Sequence, residues 1–159
     1  MQDIRVWAEA LGRRMGTEPV LEEDQTYTVG VEAPEGEPVP VTMYGDEIDE
    51  GPAAGAPVLM LRAAAGEANE EADLQELLIV GSGTWFARVY FEAESDSYVA
   101  EAALPMVGLT EAMLEQAALE VAELSLNAYD VVGSDEEVDD DDDDDVDDVD
   151  EDEDVDDEE

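Results

Sequence analysis

The stretch YTVGVEAPEGEPVPVTMY, residues 27–44, decides the fold class. Tyr27, Val29 and Val31 alternate with Thr28, Gly30 and Glu32, and Val39, Val41 and Met43 alternate with Pro40, Thr42 and Tyr44. Side chains of a strand point to opposite faces in turn, so each half presents one apolar face and one mixed face. The loop between them, Ala33 to Pro38, is rich in Pro and Gly and too short for a crossover helix, so the halves form a hairpin. Pro40 cannot donate to a ladder on both sides and marks its strand as an edge or a strand start.

The rest of the chain extends this nucleus. Residues 3–15 read as a helix, with Ile4, Ala8, Leu11 and Met15 on one stripe and Trp7 beside it. Arg13 and Arg14 suit its negative end and Gly16 can close it. Gly45 to Pro57 is a loop, and Val58 to Ala64 is a third strand, apolar on both faces except at Arg62, hence central. Asn69 is an N-cap for a second helix, with Glu70, Glu71 and Asp73 near its positive end and Leu74, Leu77 and Leu78 as its buried face. Gly81-Ser82-Gly83 ends it. Trp85 to Phe91 and Tyr98 to Leu104 are two more strands around the turn Glu94 to Ser97, and Pro105 stops the second. The last helix begins at the N-cap Thr110; Leu114, Ala117, Ala118, Val121, Leu124 and Ala128 form its stripe, and Glu111, Glu115, Glu120 and Glu123 lie largely away from it. The order α-β-β-β-α-β-β-α, with hairpin-linked strands, predicts an α+β domain: an antiparallel sheet with helices packed on one face.

This domain covers residues 1–132. Beyond it the composition changes abruptly. Of the 25 residues Asp135–Glu159, 21 are Asp or Glu, interrupted by four valines. Such a segment has too little apolar surface to offset the entropy of ordering, so 133–159 is expected to be a disordered acidic tail. Taking these 21 from the chain's 48 acids leaves 27 against 5 bases, a net of −22 for the body. All five bases are arginine (5, 13, 14, 62 and 88), where ordinary usage would supply on the order of ten lysines. Acidity spread over the folded part, with no lysine anywhere, reads better as adaptation to high monovalent salt than as a device for one ligand. Nucleic acid and membranes are not expected partners. No run of residues is apolar enough for a signal peptide or a membrane helix, which points to the cytoplasm.

Missing residue types narrow the chemistry. Without cysteine or histidine there are no thiolate nucleophiles, no zinc sites of the usual kind and no imidazole base. There is no P-loop, G-x-G-x-x-G or G-x-S-x-G motif, and Gly81-Ser82-Gly83 follows a helix rather than preceding one, so it is a turn. No cofactor, catalytic residue or metal site is assigned. The tail would gather divalent cations only diffusely, since a calcium loop needs a glycine that does not occur after Gly133. Arg62 and Arg88 either pair with carboxylates of this chain or reach those of a partner. Alternation sends Trp85, Val89 and Phe91 to one face and Phe86, Arg88 and Tyr90 to the other. The helices cover only one sheet face, so aromatic surface is left for a loop, a second subunit or a peptide.

The run from Leu74 to Leu124 resembles the YbjN-like family of small bacterial proteins and, more distantly, the type III secretion chaperones of the same fold. The shared features are a Leu-rich helix, a hairpin with an acidic turn, Leu104-Pro105, Gly108-Leu109-Thr110 and a final amphipathic helix. The resemblance implies a non-enzymatic, often dimeric protein that binds another polypeptide, as sensory-transduction regulator or chaperone. The candidate interaction surface is Leu74, Leu77, Leu78, Trp85, Phe86, Arg88 and Tyr90, with a homodimer interface drawn from 74–91. A divalent-metal-binding or metal-assisted hydrolytic protein built on carboxylates is the alternative, and it requires three or more acids converging from the strands.

Overall fold

The structure, a computed structural model, describes residues 3–34, 36–68 and 74–133. The expected cap at Asn69 with its neighbouring acids, and the tail from 134 onward, lie outside the described residues. The elements are α1 (Ile4–Met15), β1 (Val20–Leu21), β2 (Tyr27–Val31), β3 (Val39–Glu47), β4 (Pro57–Glu67), α2 (Leu74–Gly81), β5 (Ala87–Glu92), β6 (Ser97–Pro105) and α3 (Glu111–Val132). They form an α+β domain whose six-stranded sheet is antiparallel throughout, in the order β1-β2-β3-β4-β6-β5.

The hairpin of β2 and β3 pairs Val29 with Val41 and Val31 with Val39, so one alternation feeds the core from both strands. Pro40 stands opposite Gly30, and the pairing of β3 with β4 begins only at Thr42. Pro40 therefore sits on a local edge, where its missing N–H costs no ladder bond. β4 is central, and Val58, Leu59, Met60, Leu61 and Ala63 are all buried. The short strand β1 is an addition to the expected order: Val20 and Leu21 are both exposed and too few to show any period, so only their pairing with β2 reveals them.

The helices lie on one face. α1 is capped by the Asp3 carboxylate, which accepts from Arg5 N at 3.0 Å, and by Gly16 at φ 69, and it buries Ala8 and Leu11. α3 buries its whole predicted stripe, Leu114, Ala117, Ala118, Val121, Leu124 and Ala128, against β4, β5 and β6. Its C-terminal half meets a bulge in β4 where the register with β6 shifts between Ala64 and Gly66. Ser125 donates to the Ala64 carbonyl there. Gly66 has φ +119, and a Cβ on it would lie 3.2 Å from Val132 Cγ1. The backbone conformation and the close approach of the helix both require glycine.

α2 departs from expectation. Only Leu77 is buried; Leu74 and Leu78, assigned to the same inner face, point outward. An eight-residue helix packed between α3 and β5 meets its neighbours along one narrow line, filled by Leu77 with half-buried Val80 beside it.

Candidate functional site

Two constellations stand out, on opposite sides of the sheet. On the open face, cross-strand register sets Thr42, Arg62, Glu101 and Arg88 in one row over β3, β4, β6 and β5. Glu101, buried, is the hub. Its Oε1 accepts from Arg88 Nη2 at 3.1 Å, its Oε2 accepts from the Tyr90 hydroxyl at 3.2 Å, and Arg62 Nε stands 3.7 Å away. Arg62 also pairs with Glu92. Both guanidinium carbons lie over the Tyr90 ring, at 5.9 and 6.0 Å from its centroid. Burial, and then the nearby Glu101 charge, push the Tyr90 phenol up to about 12. Burial pulls the Arg62 guanidinium downward, but its bond to Glu92 and the surrounding acceptors outweigh this and raise it. Arg62 and Arg88 are thus committed to carboxylates of this chain.

The other arginines are committed too. Arg5 pairs with Glu9 at 2.7 Å, Arg13 with Glu111 at 3.6 Å, and Arg14 with Glu111 and Glu115. Every cationic side chain of the protein has an intramolecular acid partner.

The second constellation surrounds α2. Leu74, Leu78 and Ile79 are 61%, 76% and 64% exposed, and Trp85, in the turn after the helix, is 89% exposed. Four large apolar side chains from one twelve-residue stretch therefore face solvent. Phe86, by contrast, packs on the core, as do Ala87 and Val89. The expected alternation does not reach Trp85 and Phe86, because β5 starts at Ala87 and the two belong to the turn. Within β5, Val89 lies on the helix side and Arg88 and Tyr90 on the open face.

The turn is fastened by a residue that periodicity had set aside. Glu120 of α3 is buried, and its Oε2 accepts from three successive backbone N–H groups: Trp85 at 3.0 Å, Phe86 at 2.7 Å and Ala87 at 3.2 Å. Its Oε1 accepts from Gln116 Nε2 at 3.0 Å. Burial would raise this carboxyl, but the bonds from Phe86, Gln116, Ala87 and Trp85 prevail and hold it below the usual carboxylate range. Glu120 accordingly faces inward, unlike Glu111, Glu115 and Glu123. The sequence carries one signal for this: Glu120 falls between Ala117 and Leu124, at the margin of the apolar stripe.

Of the seven candidate surface residues, Leu74, Leu78 and Trp85 are exposed, as is Ile79. Leu77 and Phe86 are beneath them, and Arg88 and Tyr90 belong to the other face. A cavity of about 900 Å³ also opens at the end of the sheet, beside Pro38, Pro40, Gly66, Leu126 and Tyr129. The described residues contain no group of three or more acids arranged to hold a metal ion, which is what the carboxylate-based alternative requires. None of the described helices is long and apolar enough to cross a membrane.

No family model matches this chain, and no curated protein does. Solved structures do. A chain in the structure of the HopA1–SchA chaperone–effector complex matches with a TM-score of 0.55 at 14% identity, over 79% of this chain and 92% of that one. A chain in the structure of the Yersinia pestis type III secretion chaperone SycH with a stable fragment of YscM2 matches with a TM-score of 0.50 at 13% identity, over 77% of this chain and 97% of that one. The fold is that of the type III secretion chaperones.

Proposed function

We propose that this protein is a non-enzymatic, chaperone-like regulator that binds another polypeptide through the outward face of α2 and Trp85. The observation that carries this reading is the exposure of four large apolar side chains within residues 74–85, Leu74, Leu78 and Ile79 on α2 and Trp85 in the following turn, whose backbone Glu120 holds. Clustered apolar side chains of this size on a small domain mark a contact surface, with tryptophan the commonest energetic anchor. The fold supports the reading, since both matched structures contain a chaperone bound to another protein. The YbjN-like assignment rests on the run from Leu74 to Leu124, and the cytoplasm is its setting. Crosslinking from a photoreactive residue at position 78 in the native host tests the binding role: a defined protein adduct that Trp85→Ser abolishes is expected, and no adduct overturns it.

A second reading is favoured by the same exposed face: a homodimer closed across residues 74–91 in high monovalent salt. A two-fold axis would bury the patch against its own copy, and salt would screen the repulsion of two chains of net charge −43. Light scattering of the full chain in 2–3 M potassium chloride should then give twice the chain mass. High salt should also raise the melting temperature, because the charge excess strains the compact state at low ionic strength. A melting temperature constant from 0.1 to 3 M salt removes the adaptation to salt.

A further inference from the structure

The arginine pairings bear on what can occupy the α2 face. All five cations of the chain have carboxylates of the same chain within 4 Å, so an acidic ligand would have to compete with these pairs for every one of them. The remaining charge of the protein is negative, a net −43 over the chain. Among the described residues, Leu74, Leu78, Ile79 and Trp85 are its exposed apolar side chains, and the acid Glu76 is exposed on the same helix. A ligand of this surface therefore meets an apolar centre inside a field of one sign.

Two kinds of polypeptide could bury these side chains. A second copy of the chain supplies matching apolar residues but brings the same negative field, so its approach costs electrostatic work that falls only as salt screens it. A segment with apolar side chains bordered by lysine or arginine supplies the same burial and gains from the field wherever salt leaves it unscreened. On charge complementarity the second occupant is favoured, and the two predict opposite signs of salt dependence.

We infer that the α2–Trp85 face is a docking site for a basic amphipathic segment of another polypeptide, with an apolar stripe that covers Leu78 and Trp85 and a cationic border. This rests on the polypeptide-binding reading and names the class of partner for that site. The spacing of Leu74 and Leu78, one helical turn apart, suits an apolar stripe of similar pitch on the partner. Tryptophan and leucine provide the burial, and the border provides orientation and rate of encounter.

The test uses the full chain and three fluorescein-labelled peptides of equal length: leucine and lysine with the leucines at helical spacing, the same with glutamate for lysine, and lysine with serine for leucine. Fluorescence anisotropy is read across the range of potassium chloride in which circular dichroism shows the chain folded. The expected result is that the leucine–lysine peptide binds, that added salt weakens it, and that the pair Leu78→Ser and Trp85→Ser weakens it about tenfold or more. The lysine–serine peptide reports on diffuse attraction to the acids and should not respond to those substitutions. If the double variant binds the leucine–lysine peptide as tightly as the original chain does, the docking site is overturned. If the leucine–glutamate peptide binds the face as well, or affinity rises with salt, the face binds polypeptides but the basic partner is wrong. If neither leucine-bearing peptide binds and light scattering gives a dimer that the double variant dissolves, the occupant is a second copy. If neither binds and the chain is monomeric, both this inference and the polypeptide-binding reading fall.

Discussion

Helices α2 and α3 pack against each other, and both are rich in apolar residues, yet they end in opposite situations. α3 spans 22 residues and lies across β4, β6 and the edge strand β5, so its entire stripe is buried and even an acid, Glu120, is drawn inside. α2 spans eight residues at the margin of the sheet, so one leucine is buried and three large aliphatic side chains are left outside. Composition sets how much apolar surface a helix has. The neighbours it can reach set how much is hidden. What remains exposed on α2 is the surplus of a short helix at an edge, and that surplus is the contact surface proposed above.

The comparison can be broken most severely in α3. Leu124→Ala should cost about 3 kcal/mol in urea unfolding, through lost burial and the cavity left behind, whereas Leu78→Ala should stay within about 0.5 kcal/mol. Equal costs would mean that α2 is packed in solution by something the single chain does not contain. Next is Glu120→Ala, which strips three backbone donors of their acceptor and should cost about 2 kcal/mol. Hydrogen exchange should show loss of protection at Trp85, Phe86 and Ala87 while Val89 keeps its own. The sign of its pH dependence follows from the lowered folded value. The stability contributed by Glu120 is fully present above its unfolded pKa, about 4.3, and is lost as pH falls through the lower folded value. Glu120→Gln should flatten that part of the acid limb, and an unchanged acid limb would show the clasp to be unused.

The smallest effect lies on the opposite face. The Tyr90 phenol, pushed up to about 12, should be among the last tyrosines to ionise in an absorbance titration, and Tyr90→Phe should remove that late step. Because the folded value is raised, its contribution to stability is complete below the unfolded pKa near 10 and is lost as pH rises toward the folded one. A titration in which all five tyrosines ionise together near 10 would mean that the Glu101 hub is open to water.

Much of the architecture was legible because it rests on period. The alternation around Val29 and Val41, the apolar run at Val58–Leu61 and the stripe from Leu114 to Ala128 each repeat often enough to fix a face. β1 escaped because two exposed residues have no period. The outward turn of Leu74 and Leu78 escaped because a leucine cannot declare whether a neighbour will be within reach. Glu120 escaped for a different reason. In a chain with 48 acids, one that gathers backbone donors looks like all the others, and only the three-dimensional closeness of residues 85–87 separates it. The expected strand starts at Trp85 and β5 starts two residues later, at Ala87, so for Trp85 and Phe86 the rule for faces does not hold.

Gly66 gives the domain an unusual kind of constraint. Its positive φ and its nearness to Val132 and Tyr129 mean that the last turn of α3 is seated on the absence of a side chain. Every codon change that replaces glycine adds at least a Cβ, so no single missense change at this position is silent in the structure. A methyl there would meet β-branched Val132, which is stiff about its Cα–Cβ bond, so relief must come from the helix moving as a body. The seat of the last turn of α3 at Val132 is thereby inherited from one residue in the sheet, 66 positions earlier. Over generations, substitution is expected to meet only the strain of the positive φ at Gly51 and Gly55 in the exposed loop, and at Gly66 to meet that strain together with the crowding by Val132.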